Sequence, residues 1–175
     1  MKKFTWLVVL FCLGLFSLFA QANSMARTAL SQFENQYPQY RGIAVLTGGN
    51  GERTWQQQME FILSRPGSYE NIQRRFTQRF GVQLPAPSSQ MTNEMLQWWE
   101  REIMAQAGRP DGFAHVGGRA QDIYVGNLDI QGKEYLQSFL TRNGLRVLRE
   151  IPPNYDGRPN PISMAAATVF HCYIP

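Results

Sequence analysis

The chain has 175 residues, a formal net charge of +4, 43% hydrophobic residues and 13% aromatic ones. That apolar share supports a packed core, excludes a disordered or low-complexity chain, and fits one domain at this length. Two Cys and two His exclude a disulfide-stapled scaffold, a zinc finger and a cluster of thiolate ligands.

The chain opens as a targeting segment. Lys2 and Lys3 precede an almost wholly apolar run from Phe4 to Phe19, and Ala20-Gln21-Ala22 offers the small–x–small pattern that a signal peptidase cuts after. The run is also close to the length of an uncleaved anchor; the Ala-x-Ala end favours cleavage. Cys12 lacks the setting of a lipoprotein. Residues 1–22 are therefore expected to be a signal peptide and 23–175 a single domain, periplasmic or secreted from a bacterium, with no membrane attachment after cleavage. Their removal takes away two Lys and no acid, so the net charge falls from +4 to +2. No concentrated basic footprint is left for a nucleic acid. Lys133 is the one remaining Lys, and Cys172 the one remaining thiol.

Residues 24–38 predict a helix that begins near Ser24 and stops at Pro38. The apolar run 43–47, bounded by glycines, predicts a buried strand, and residues 48–51 turn the chain. Glu52 to Leu63 predicts a helix with Trp55, Met59, Ile62 and Leu63 on one face. Ser68 to Phe80 predicts a second, with Gly81 just past its end. Residues 82–90 read as a surface loop. Thr92 to Ala107 predicts a stronger helix, with Met95, Trp98, Trp99, Ile103 and Met104 at helical spacing.

The later chain is richer in strands. Strands are expected at 120–125, 145–150 and 168–174, a helix over 133–142 capped by Gly144, and a Pro/Asn/Gly-rich loop over 151–163. No internal repeat is visible. Helices first and strands later predict an α+β fold: a small, largely antiparallel sheet with helices packed on it.

Chemistry concentrates around the two His. In His115-Val116-Gly117-Gly118-Arg119-Ala120-Gln121-Asp122 a ligand-type residue stands on each side of a Gly-Gly pair. Fully extended, seven residues would carry Asp122 roughly 23 Å from His115. The flexible glycines allow the chain to fold back so that both converge. His171 lies in the final apolar strand. Two His and one carboxylate, with a fourth position left to water, is the pattern of catalytic zinc. By their spacing alone the residues fit a turn His, a turn-capping Asp and a satisfied core His better than a metal site. Cys172 neighbours His171 on a strand, so its side chain is expected on the opposite face and not on the metal.

His115-x-x-Gly118-Arg119-Ala120-x-Asp122 resembles the zinc signature of the D-Ala-D-Ala carboxypeptidase and endopeptidase family, and of the related hedgehog signalling domain. The His171-Cys172 pair in a last strand is similar to that group's closing ligand strand. Leu46 to Gln58 is similar to its strand, glycine, Arg-Thr and helix segment, and Arg142 to Leu145 to the helix end before its final hairpin. The resemblance spans most of 43–174; only the 115–122 stretch is specific.

It implies a hedgehog/D-Ala-D-Ala peptidase-like fold, zinc held by His115, Asp122 and His171, and a substrate carboxylate bound by Arg53. The family's acid–base group a few residues before the last His is missing: residues 165–170 carry no titratable side chain. Glu150, at the end of the strand expected to pair with the His171 strand, is the best substitute, and Asp156 in the connecting loop is second. Glu150 fits an exposed strand-end carboxylate equally well. Two functions follow as expectations. One is a zinc peptidase acting on peptidoglycan stem peptides. The other is an inactive zinc-binding module of the same fold that recognises cell wall or a partner protein.

Overall fold

The computed structural model describes residues 21–49, 51–64, 69–70, 73–74, 77–78, 81, 83, 91–109, 112–151 and 162–175. Helix α1 (Gln21–Gln36) carries Ala22, Ala26, Ala29, Leu30 and Phe33 as one buried stripe at helical spacing. It starts earlier than the sequence predicts. Gln21 and Ala22, assigned to the targeting segment, form its first turn, and Ala22 is fully buried. A 3₁₀ turn over Pro38–Tyr40 places the Tyr40 ring on Phe33 at 5.5 Å.

Strand β1 is Val45–Thr47, and helix α2 is Trp55–Leu63 rather than a helix from Glu52. The reason is local. Thr54 Oγ1 accepts the Gln57 N–H while the Gln57 side chain accepts the Thr54 N–H, a reciprocal cap that fixes the first turn. The predicted helix over 68–80 lies largely outside the described residues. Those described within it are helical, and Gly81 takes φ +65° with its N–H on the Thr77 carbonyl.

Helix α3 is Asn93–Ala105, capped by Thr92; strand β2 is Ala120–Tyr124; helix α4 is Ile130–Arg142. Helix α4 begins three residues before its predicted start because Asp129 Oδ1 accepts the Gly132 N–H at 2.6 Å and caps it. Lys133, at the predicted start, is buried with Nζ donating to the Ala165 carbonyl at 3.2 Å. Strands β3 (Arg146–Glu150) and β4 (Val169–Tyr173) complete the sheet. The loop predicted between them, with Asp156, lies mostly outside the described residues.

The four strands are ordered β1-β2-β4-β3, and every neighbouring pair is antiparallel. The protein is α+β, a small antiparallel sheet with helices packed on it. Because β3 runs parallel to β2 with β4 between them, α4 is the crossover of a split βαβ unit. One sheet face presents Leu46, Ile123, Val147, Phe170 and Cys172 to the cluster built by α1 and α4. A second, smaller cluster joins α2 and α3 through Met59, Ile62, Trp99, Ile103 and Val116. No helix among the described residues is long and apolar enough to cross a membrane.

Candidate metal centre

The sheet register sets up the site. Thr47 faces Asp122 across β1–β2, Asp122 faces His171 across β2–β4, and Leu148 faces His171 across β4–β3. Directly opposed residues share a face, so Asp122 and His171 stand side by side on the face away from the α1/α4 core. Cys172 points the other way, fully buried in that core, and burial pushes its thiol well up.

His115 arrives from outside the sheet. Gly117 and Gly118 take φ +92° and +70°, a conformation that L side chains rarely adopt, and the Arg119 N–H returns to the Ala114 carbonyl at 3.1 Å. The fold-back replaces the extended path and brings His115 over Asp122. On its other side the Arg53 N–H donates to the His115 carbonyl at 3.0 Å.

The three side chains converge. His115 Nε2 lies 3.4 Å from Asp122 Oδ2, and His171 Nδ1 lies 2.8 Å from Asp122 Oδ1. One donor atom from each falls within 4.8 Å of the other two. A tetrahedral zinc with bonds of about 2.0–2.1 Å needs donors roughly 3.3 Å apart, so the spacing fits one ion. The tautomer fits as well. His115 Nδ1 sits 2.9 Å from the Gly51 carbonyl, which can only accept, so Nδ1 carries a hydrogen and Nε2 is the nitrogen left to bind a metal.

Electrostatics follow from the clustering. Burial works against ionisation of Asp122, but contacts with His115 and His171 and their charge win, leaving its carboxyl well below the usual carboxylate range. For His171, burial pushes the imidazole down, and Asp122 with help from Glu150 outweighs it, so its pKa is raised. Arg53 opposes that rise, which places the guanidinium within electrostatic reach of the ligand.

Arg53 itself is held in place. Its Nη1 donates to Gln58 Oε1 at 3.2 Å, and its guanidinium carbon lies 4.2 Å from the Phe61 ring centroid. Gln58 is buried, so the cation is steered by a fixed partner. Glu150 pairs with Val169 in the β3–β4 ladder, two residues along from Leu148 and thus on the ligand face. Its carboxyl is raised by burial first; His171 and His115 lower it and Asp122 raises it. Glu150 is therefore a half-buried group coupled to all three ligands, and not an exposed strand end. Asp156 lies outside the described residues.

The sequence reading missed the Gly51 carbonyl, Gln121 and Gln58. The available signal was Gln121, a polar side chain between Ala120 and Asp122 in a predicted strand. Comparison of the chain with protein-family profiles, curated proteins and solved structures yields no match.

Proposed function

We propose that this chain is a zinc-dependent peptidase that acts on D-Ala-containing peptidoglycan stem peptides, exported to the periplasm or beyond by its N-terminal segment. The observation that carries the reading is the convergence of His115 Nε2, Asp122 and His171 Nδ1, in the order and spacing of the signature it resembles. Two imidazoles and a carboxylate are the donor set of a catalytic zinc site with one open position. Zinc held in this way lowers the pKa of a water to about 7 and polarises a carbonyl oxygen.

The chain's own residues supply the rest. Arg53, fixed by Gln58 and Phe61 beside the ligand cluster, offers two parallel N–H donors to a terminal D-Ala carboxylate. Glu150 accepts the proton of the attacking water at a carboxyl oxygen and returns it to the leaving amine. A base of raised pKa suits that exchange near neutrality, and burial of Glu150 works in that direction.

The test is digestion of muropeptides by the zinc-loaded protein, read by mass spectrometry. Glu150→Gln should keep zinc and lose at least roughly a hundredfold in turnover, the low end for general-base catalysis. Loss in Asp156→Asn alone would move the base to the loop. Arg53→Lys keeps charge but not the fork, so KM should rise with zinc content unchanged; equal cleavage by Arg53→Ala would remove the clamp. No cleavage of D,D or L,D bonds by the zinc-loaded parent favours the alternative, a zinc-binding module for cell wall or a protein partner. The observation on that side is that residues 162–170, just before the last ligand, carry no acid–base side chain.

A further inference from the structure

A buried amide lies behind the candidate ligand Asp122, and the glycine that meets the candidate ligand His115 packs against the same amide. Gln121 is fully buried on the core face of β2, and both its amide hydrogens and its oxygen are hydrogen-bonded. Its Nε2 donates to the Thr47 carbonyl at 2.7 Å and to the Asp122 carbonyl at 2.9 Å. Its Oε1 accepts from Asn23 Nδ2 in α1, and Asn23 Oδ1 in turn accepts from Arg27 Nε at 2.7 Å. A buried amide satisfied on both ends is rigid, because any rotation leaves a polar group unpaired.

Gly51 rests on this amide. It is buried with φ +76°, and a Cβ there would collide with Gln121 Oε1 and lie 2.7 Å from the Ala120 carbonyl. Only glycine lets the 48–51 turn come close enough for its carbonyl to meet His115 Nδ1 at 2.9 Å. We infer that Gln121, Gly51 and Asn23 form a positioning device for the metal site. Gln121 holds the backbone of Asp122 and the end of β1, Gly51 converts that placement into the Nδ1–H tautomer of His115, and Asn23 ties the device to α1. Helix α1 thereby supports a site to which it contributes no ligand. This rests on the metal site proposed above.

Two readouts test it, one with zinc and one without. Zinc affinity is measured by competition with a chromophoric chelator, and the His115 ring tautomer of the metal-free chain by nitrogen-15 NMR. Gln121→Met keeps shape and loses every hydrogen bond. It should weaken zinc binding about tenfold to a hundredfold, the usual effect of losing support behind a ligand. It should also shift His115 from pure Nδ1–H toward a mixture.

Gly51→Ala should shift the tautomer in the same way, and Asn23→Ala should give a smaller loss of affinity. A merely structural role would lower the melting temperature and leave the tautomer alone. If Gln121→Met does not fold, Asn23→Ala, at a half-buried helix position, carries the test. Folded variants with affinity within about twofold of the parent and an unchanged tautomer overturn the inference. Absence of zinc binding in the parent would overturn the metal reading instead, while a tautomer shift in the variants would still uphold the positioning role.

Discussion

The two hydrophobic clusters differ in size and in how they are held. The one under the sheet gathers, among the described residues, 17 buried ones from α1, the β-strands, α4 and their connections. The one between α2 and α3 gathers five among the described residues. In the first, hydrogen-bonded strands and two helices interlock; in the second, two helices meet around Met59, Ile62, Trp99 and Ile103, with Trp55, Leu96 and Trp98 packed against them. Local opening free energy follows buried apolar contact, so by the contacts among the described residues the α2/α3 unit is the weaker half. The candidate metal centre lies on the seam. Asp122 and His171 belong to the sheet, while His115 is followed directly by Val116 of the smaller cluster and is pinned by the chain that leads into α2. An ion shared by the three ligands would therefore tie the weak half to the strong one.

The largest effect expected is in the strong half. Phe170, fully buried on β4 beside the last ligand, when replaced by Ala should cost about 3–5 kcal/mol, read as a shift in the urea midpoint. A loss under about 1 kcal/mol would show that the sheet cluster is not the main core. Next comes the ion itself. At a hundred times its dissociation constant, zinc should stabilise the fold by about 2.7 kcal/mol. Hydrogen exchange should place most of the added protection in α2 and α3, with none gained in His115→Ala. Uniform protection across both halves would break the comparison.

A smaller effect is expected at the helix start that links the halves. Thr54→Ala removes a reciprocal cap and should cost about 1 kcal/mol, with faster exchange in α2 and little change in β2 and β4. Acidity should act on the seam. The lowered carboxyl of Asp122 contributes stability above the ordinary carboxylate pKa and loses it as pH falls through its native value. The raised imidazole of His171 contributes below the ordinary His pKa and loses it as pH rises through its native value. The metal-free chain should thus gain from this pair in the window between carboxylate and His titration. Zinc bound through His171 would have to displace that proton, so its affinity should fall as pH drops through that raised pKa. Affinity that is flat from pH 5 to 8 would contradict this.

Much of this architecture was legible in the residues. The stripe of Ala26, Ala29, Leu30 and Phe33, the spacing of Trp99 and Ile103, and the largely apolar run of β4 carry their own periodicity, because burial on one face of an element leaves a repeat in the chain. Starts of helices were misjudged where a side chain settles them. Asp129 and Thr54 take backbone N–H groups three residues ahead, and in each case the first turn sits where the cap puts it. The targeting segment and α1 overlap at Gln21 and Ala22, since an apolar run leading into small residues reads the same for both.

The ligand types and the glycines that fold His115 back over Asp122 were set by the sequence alone, as local chemistry and local backbone freedom. Which atoms meet was settled only by the tertiary structure. Register across β1, β2 and β4 aligns Thr47, Asp122 and His171 in one row, and the crossover through α4 puts Glu150 on their face. The Gly51 carbonyl reaches His115 across 64 positions and Asn23 reaches Gln121 across 98. Hydrogen bonds between such distant partners leave no periodicity to read, because each depends on where whole elements have come to rest and on nothing in the residues alongside.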